Sequence, residues 1–324
     1  MKTNERTLAT LNETAEFLRR RQGFLILTHR RPDGDTAGSA AALCRLLRRL
    51  GKTAWMQANE DLTEKYRFLY DGLIAPAEFQ PETVVAADVA DENLLPESAQ
   101  IWRGNVDLCI DHHPSNQGYA RLTLLDAGCA ATGELVWRLA LLLEAPADLA
   151  FCQGIYTAVA TDTGCFRYAN TTAQSHRAAA YCMEQGLDCQ AVNQAFFETK
   201  TRARFQAERL LFERLIFSAQ GKIAVALLTQ REIQAIGAGP DDLDNLAALP
   251  RQVEGVSCAV VLIETGEDQY KASVRSDGGL DASALCARFG GGGHSRAAGC
   301  TLKGPGEDCL ARVTAAAQEA LGYV

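Results

Sequence analysis

Nowhere in this 324-residue chain does an apolar run approach the roughly 20 residues that a membrane-spanning helix requires. The opening Met1-Lys2-Thr3-Asn4-Glu5-Arg6 also lacks the apolar stretch of a signal peptide. Both absences point away from a membrane role and toward the cytoplasm. None of the eleven cysteines forms a Cys-x-x-Cys pair, and most lie in apolar stretches, such as Cys109 in Val-Asp-Leu-Cys-Ile. They read as small buried hydrophobes in a reducing compartment, not as zinc ligands or redox centres. Excess positive charge is missing as well. The net charge is −8; residues 1–52 carry eleven Lys/Arg against five Asp/Glu, a balance of +6, which leaves −14 on the rest. Such a surface cannot hold long nucleic acid by counterion release, although a short anionic ligand remains within reach. There is no internal repeat, no Gly/Ser-rich linker, and no low-complexity segment beyond one glycine run. Histidine is scarce, with five in all.

What is present has the balance of a soluble globular protein, 47% apolar and 22% charged, at a length that suits two domains. Leu8, Leu11, Ala15 and Leu18 at helical spacing predict an amphipathic helix over 7–21, its last turn basic through Arg19-Arg20-Arg21. Phe24–Thr28 reads as a buried parallel strand, and Thr36–Leu50 as a helix closed by Gly51. Strands at 83–88 and 106–111 each run into an aspartate, and helices follow near 129–144 and 147–161. This alternation predicts an α/β domain with a mainly parallel sheet flanked by helices, with ligands gathered at the carboxyl ends of the strands. Residues 188–217 read as a helical linker. Beyond it, strands at 222–228, 256–264 and 269–275 predict a smaller α+β domain. The expected boundaries are therefore 1–187, 188–217 and 218–324.

Four of the five histidines fall in three short stretches rich in carboxylates or glycines. In His29-Arg30-Arg31-Pro32-Asp33-Gly34-Asp35, proline and glycine bend the backbone so that two carboxylates can face one point. Carboxylates held so close repel unless a cation lies between them, although Pro-Asp-Gly-Asp is also good turn chemistry. In Asp111-His112-His113 the aspartate can orient an imidazole from behind and so fix which nitrogen faces a metal. Asp88 ends a wholly apolar strand, where an unpaired charge is costly. Asp162 follows the 147–161 helix; either aspartate could equally cap a helix or turn. Histidine with several aspartates suits Mn²⁺ or Mg²⁺ better than structural zinc. Two such ions roughly 3.5–4 Å apart can activate a hydroxide and stabilise phosphoryl charge. The run Gly290-Gly291-Gly292-Gly293-His294-Ser295 lets backbone N–H groups surround an anion. It lacks the Lys-Ser/Thr ending of a P-loop. Arg275 and Ser276 end a strand and can join His294 in holding a second phosphate or a base. Arg30, Arg31 and the arginines of 45–49 read as solvated surface charge, and His176 as an ordinary helix residue.

Taken in order, these elements resemble the DHH/DHHA1 phosphoesterase family over nearly the whole chain. His29–Ser39 is similar to its first motif, Asp88 to the aspartate of its second, and Asp111-His112-His113 to its name-giving triplet. Thr161-Asp162-Thr163-Gly164 with Phe166-Arg167-Tyr168 is similar to the fourth. Val274-Arg275-Ser276 and Gly290–Gly299 are similar to the DHHA1 half. The resemblance implies a bilobed enzyme with its active site in the cleft between the DHH and DHHA1 lobes. It implies one Mn²⁺ on His29, Asp33 and Asp88 and another on Asp35, Asp88, His112 and Asp162, with Mg²⁺ as the alternative ion. Asp111 and His113 would orient His112 and contact the scissile phosphate or the leaving group. Arg275, Ser276, Gly291, Gly292, Gly293 and His294 would hold the substrate.

Length and the lack of membrane segments favour the compact NrnA-like members over RecJ-type exonucleases and membrane-bound cyclic-dinucleotide phosphodiesterases. The lack of a DHHA1-type half sets family II pyrophosphatases apart. The expected activity is hydrolysis of very short RNA to 5′-mononucleotides, with 3′-phosphatase activity on 3′-phosphoadenosine 5′-phosphate (pAp). The expected partners are short RNA, pAp and pApA, without membrane or long nucleic acid; a homodimer is allowed. The alternatives are a soluble cyclic di-AMP or pApA phosphodiesterase and a nucleotide-binding module without turnover.

Overall fold

The computed structural model describes residues 7–323, so the opening Met1–Arg6 lie outside the described residues. The chain forms two compact units, one ending at Thr199 and the other beginning at Lys200. The first unit begins with β1 (Thr7–Leu8), α1 (Leu11–Arg20), β2 (Phe24–Leu27), α2 (Gly34–Arg49), β3 (Ala54–Met56) and the short α3 (Glu64–Arg67). It continues with β4 (Thr83–Ala87), β5 (Leu108–Asp111), β6 (Leu122–Leu125), α4 (Thr132–Leu142), α5 (Leu149–Asp162), α6 (Ala173–Glu184) and α7 (Cys189–Asn193). Its six strands lie in the order β1-β6-β5-β4-β2-β3, every pairing parallel.

The continuous apolar runs have a plain cause. Phe24, Ile26, Val85 and Ala87 pack into one core, while Leu25, Leu27, Val84 and Ala86 pack into another. A parallel sheet covered on both faces needs apolar side chains at every position. Helices α2 and α5 run antiparallel at close range. A Cβ on Gly38 would meet the Gly154 carbonyl oxygen at 2.4 Å, so the approach depends on glycine there. That contact brings the start of α2 against the end of α5.

Three expectations are corrected. Leu8 belongs to β1 and is 70% exposed, not part of the first helix. Thr10 starts that helix with a capping box: its hydroxyl accepts from the Glu13 N–H at 3.2 Å, and the Glu13 carboxylate accepts from the Thr10 N–H at 2.8 Å. The stretch 188–217 is not one helix. Helix α7 runs into a π turn, Gln194–Glu198, and Thr199 is extended. Thr201 then caps a new helix by accepting from the Arg204 N–H at 2.9 Å. The arginines of 45–49 are also not all solvated. Arg48 lies 4.3 Å from the Trp55 ring centroid and donates to the Ala54 and Gly72 carbonyls, tying α2 to β3.

The second unit comprises α8 (Arg202–Glu213), β7 (Ile216–Ser218), β8 (Ile223–Leu228), α9 (Gln230–Ala235), α10 (Pro240–Leu243) and β9 (Cys258–Gly266). It ends with β10 (Gln269–Ser276), α11 (Ala282–Ala287), β11 (Gly292–His294), β12 (Ala297–Lys303) and α12 (Gly306–Ala320). Its strand order is β11-β12-β10-β9-β8-β7, parallel only between β8 and β9. Along β10, Tyr270, Ala272 and Val274 are buried, the alternation of a sheet with one face on the core. Ten of the eleven cysteines in the chain are buried and all are free. No helix among the described residues is long and apolar enough to cross a membrane.

Candidate metal centre

The carboxyl ends of β2, β4 and β5 share one edge of the parallel sheet, and the acidic side chains collect there. Asp33 follows β2 and caps α2, its carboxylate accepting from the Thr36 N–H at 3.0 Å. Asp35 lies in the first turn of α2 and is 1% exposed. Asp88 follows β4 with φ of +60°, a left-handed conformation that costs a non-glycine residue about 1 kcal/mol or more. Its N–H still joins the sheet by donating to the Ile110 carbonyl at 2.9 Å. Asp111 ends β5 and Asp162 ends α5. The close crossing of α2 and α5 delivers Asp162 to the same place as Asp35.

His112 stands at the centre. Its Nε2 lies 3.6 Å from Asp35, 3.6 Å from Asp88 and 3.5 Å from Asp162. Its Nδ1 is 3.2 Å from the Cys129 carbonyl, which fixes the proton there and turns the Nε2 lone pair toward the carboxylates. Three overlapping sets have ligand atoms within 4.8 Å of one another: His29, Asp33 and Asp88; Asp35, His112 and Asp162; and Asp88, His112 and His113. Seven of the eight residues named from the sequence in this unit thus converge, Asp88 belonging to two of the sets, and the eighth, Asp111, holds the His113 ring from behind at 2.8 Å.

Groups that sequence reasoning missed hold these ligands in place. Thr36 donates its hydroxyl to Asp88 at 2.6 Å, and Thr132 donates its own to the other Asp88 oxygen at 2.9 Å. The free N–H groups of Thr132 and Gly133, at the start of α4, donate to Asp35 at 2.7 and 3.0 Å. An anion at a helix N-terminus is favourable, so this carboxylate replaces a side-chain cap. Asp111 is fully buried and accepts from the His112 N–H, the His113 N–H and ring, and Asn116. The sequence signals were present but faint: Thr132-Gly133 is a helix-start pattern, and Asn116 closely follows the Asp-His-His triplet.

Burial, followed by the charges of its acidic neighbours, raises Asp35 well above the usual carboxylate range. Burial and the Asp33 charge also raise Asp88, against the opposing charges of His113 and His112. Asp162 is pushed up to about 7, burial again being the largest cause. Burial also works against Asp111, but hydrogen bonds from His113 and Asn116 outweigh it and hold that carboxyl low. The hydrogen bond to Asp111 in turn lifts His113 to about 9. One imidazolium, His113 at 3.5 Å from Asp88, does not neutralise three crowded carboxylates with raised values. A divalent ion would, and oxygen with imidazole donors suits Mn²⁺ or Mg²⁺.

In the second unit, the strand register aligns Arg275 with Ala297 and Ala297 with His294 across β10, β12 and β11. His294 is exposed, and Arg275 donates to Asn245 at 3.1 Å. The Ser276 hydroxyl donates to the Leu280 carbonyl at 2.7 Å and accepts from the Gly278 N–H at 3.0 Å, so it shapes the turn after β10. The glycine run is a strand rather than an open loop from Gly292 on. Gly293, at φ +146°, lies so close to β12 that a Cβ would meet the Ala297 carbonyl oxygen at 2.7 Å. Gly292 has open space on its side-chain face. His176 packs its ring against Phe166 at 5.2 Å within the first unit, as an ordinary helix residue.

Comparison with known proteins adds to this geometry. Residues 23–161 match the model of the DHH family, N-terminal domain, and residues 220–322 match that of the DHHA1 domain. The bifunctional oligoribonuclease and PAP phosphatase NrnA of Thermus thermophilus is 32% identical over 96% of this chain and 95% of its own. The Bacillus subtilis protein of the same name is 24% identical over 86% of this chain and 89% of its own. Among solved structures, an exopolyphosphatase-related protein from Bacteroides fragilis superposes with a TM-score of 0.80 at 22% identity, covering 96% of this chain and 95% of that one. The exonuclease RecJ bound to manganese gives 0.51 at 15% identity, covering 98% and 96%. These two likenesses concern the fold.

Proposed function

The chain belongs to the DHH family of phosphoesterases, with a DHHA1 domain as its second unit, and on that premise we propose that it is a Mn²⁺-dependent hydrolase of very short RNA. Its products are 5′-mononucleotides, and pAp is a second substrate. The observation that carries this reading is the place of Asp88, shared between a set with His29 and Asp33 and a set with His112 and His113. The relatives named as oligoribonucleases and PAP phosphatases support the choice of substrate.

His29, Asp33 and Asp88 hold one ion, and Asp35, Asp88, His112 and Asp162 hold the other. When bound, such a pair neutralises phosphoryl charge and eases deprotonation of the attacking water. The chain's own groups do the positioning. Thr36 and Thr132 restrain both oxygens of Asp88, and the start of α4 fixes Asp35. Asp111 keeps His113 protonated by accepting from its Nδ1, which leaves Nε2–H to donate to an oxygen of the scissile phosphate. Arg275, His294 and the backbone of Gly291, Gly292 and Gly293 hold the far phosphate or base, with Ser276 shaping the adjoining turn.

The test is a side-by-side assay with Mn²⁺ of pApA, a length series of 5′-phosphorylated RNAs, pAp and cyclic di-AMP. Short RNA and pAp should be hydrolysed, with activity falling as the strand lengthens. Equal cleavage of long strands, or turnover of cyclic di-AMP alone, would overturn the assignment.

A further inference from the structure

Aromatic residues make up only 7% of the chain, yet several crowd one place in the first unit. The rings of Tyr66 and Phe196 stack with centroids 5.6 Å apart and 19° between their planes. Phe68 meets Phe196 at 6.2 Å, and Phe197 meets it at 6.5 Å. The Lys65 ammonium lies 5.5 Å from the Tyr66 centroid and 5.2 Å from that of Phe196. Rings that only fill a core are closed to water, but Phe68 is 38% exposed and Tyr66, Phe196 and Phe197 are half-buried.

Two further features set this cluster apart from ordinary packing. Phe196 and Phe197 are presented by the π turn, which the Thr199 N–H closes on the Gln194 carbonyl at 2.8 Å. Such turns are rare and occur frequently at functional sites. The cluster is also tied to the metal-binding edge. On the chain leaving β3, Asn59 donates to the Thr28 hydroxyl and the His29 carbonyl, both at 2.9 Å, shortly before Lys65 and Tyr66.

We propose that Phe68 and Phe196, with Tyr66 and Lys65, form a stacking platform for a nucleobase of the oligoribonucleotide whose phosphate reaches the metal centre. The proposal rests on the reading of short RNA as substrate and specifies how that RNA is held. Every base has a π face, so the platform accepts any sequence, as an enzyme of general RNA turnover requires. The lysine, already over the rings, offers its charge to the adjoining phosphate.

The test measures kcat and KM of the full chain with Mn²⁺ on a short RNA and on the same RNA with abasic riboses. Phe68→Ala and Phe196→Leu should each raise KM for the intact RNA about tenfold, with kcat and the abasic substrate little changed. Leucine keeps the bulk of the ring and loses its π face. Wild-type behaviour of Phe196→Leu would therefore overturn the platform, as would an equal rise in KM on the abasic RNA. If the wild type hydrolyses no short RNA, the proposed function fails, and quenching of a 2-aminopurine trinucleotide decides the platform separately. Quenching by the wild type that is lost in Phe68→Ala would uphold it; no quenching, or equal quenching by both, would end it.

Discussion

In the first unit Asp35 and Asp88 are 1% and 2% exposed and no lysine or arginine among the described residues neutralises them, whereas in the second the buried Glu208 is gripped by Lys200 at 2.6 Å and Arg204 at 2.8 Å. The electrostatic outcome is opposite. Burial raises the two aspartates, while hydrogen bonds and charge from Lys200 and Arg204 outweigh burial and hold Glu208 low. A buried carboxylate paired with a cation of its own chain fastens structure. One held by threonine hydroxyls and helix N–H groups, with only histidine as a neighbouring cation, remains short of positive charge and becomes a candidate site for an ion from solution. The second unit keeps its candidate substrate groups, such as His294, exposed at a sheet edge instead.

The contrast breaks most sharply at Asp88. Asp88→Ala should lower kcat on the order of a thousandfold, several kcal/mol of transition-state stabilisation, without lowering the melting temperature. Substantial remaining activity would detach the acidic cluster from catalysis. His294→Ala should raise KM for short RNA about tenfold with kcat nearly unchanged, since one binding contact in a polar site is worth about 1.4 kcal/mol. An unchanged KM would take the second unit's edge out of substrate binding. The smallest effect falls on Glu208. Its folded value is lowered, so its contribution to stability is present above the unfolded value of about 4.3 and is lost as pH falls through the folded value. Glu208→Gln should cost about 1–2 kcal/mol at neutral pH, by denaturant melts, with the gap to wild type closing as the pH drops below about 4. A gap that stays constant with pH would mean that packing, not charge, holds this residue.

Much of the first unit is legible because burial on both faces forces continuous apolar strands, and Asp88 and Asp111 stand out as charges ending them. The glycine and proline of Arg31–Asp35 similarly mark a loop that turns two carboxylates inward. What pairs with those carboxylates is not legible. Thr132 and Asp35 are distant in the chain and meet only because α4 begins beside α2, a consequence of sheet order and helix packing. The break at Thr199–Thr201 escapes notice because no proline or glycine marks it; one threonine hydroxyl decides where α8 starts. The glycine run conceals its pairing for a related reason. Its close contact with β12 depends on residues beyond the run, so spacing shows the freedom of the backbone but not the strand it joins.

The buried carboxylates are proposed to hold a pair of ions through a shared Asp88. Calorimetric titration of chelator-treated protein with Mn²⁺ tests this most directly. Two ions should bind per wild-type chain, with a large loss of affinity at both sites in Asp88→Asn. A single ion in the wild type, or undiminished binding of both ions to Asp88→Asn, would contradict it.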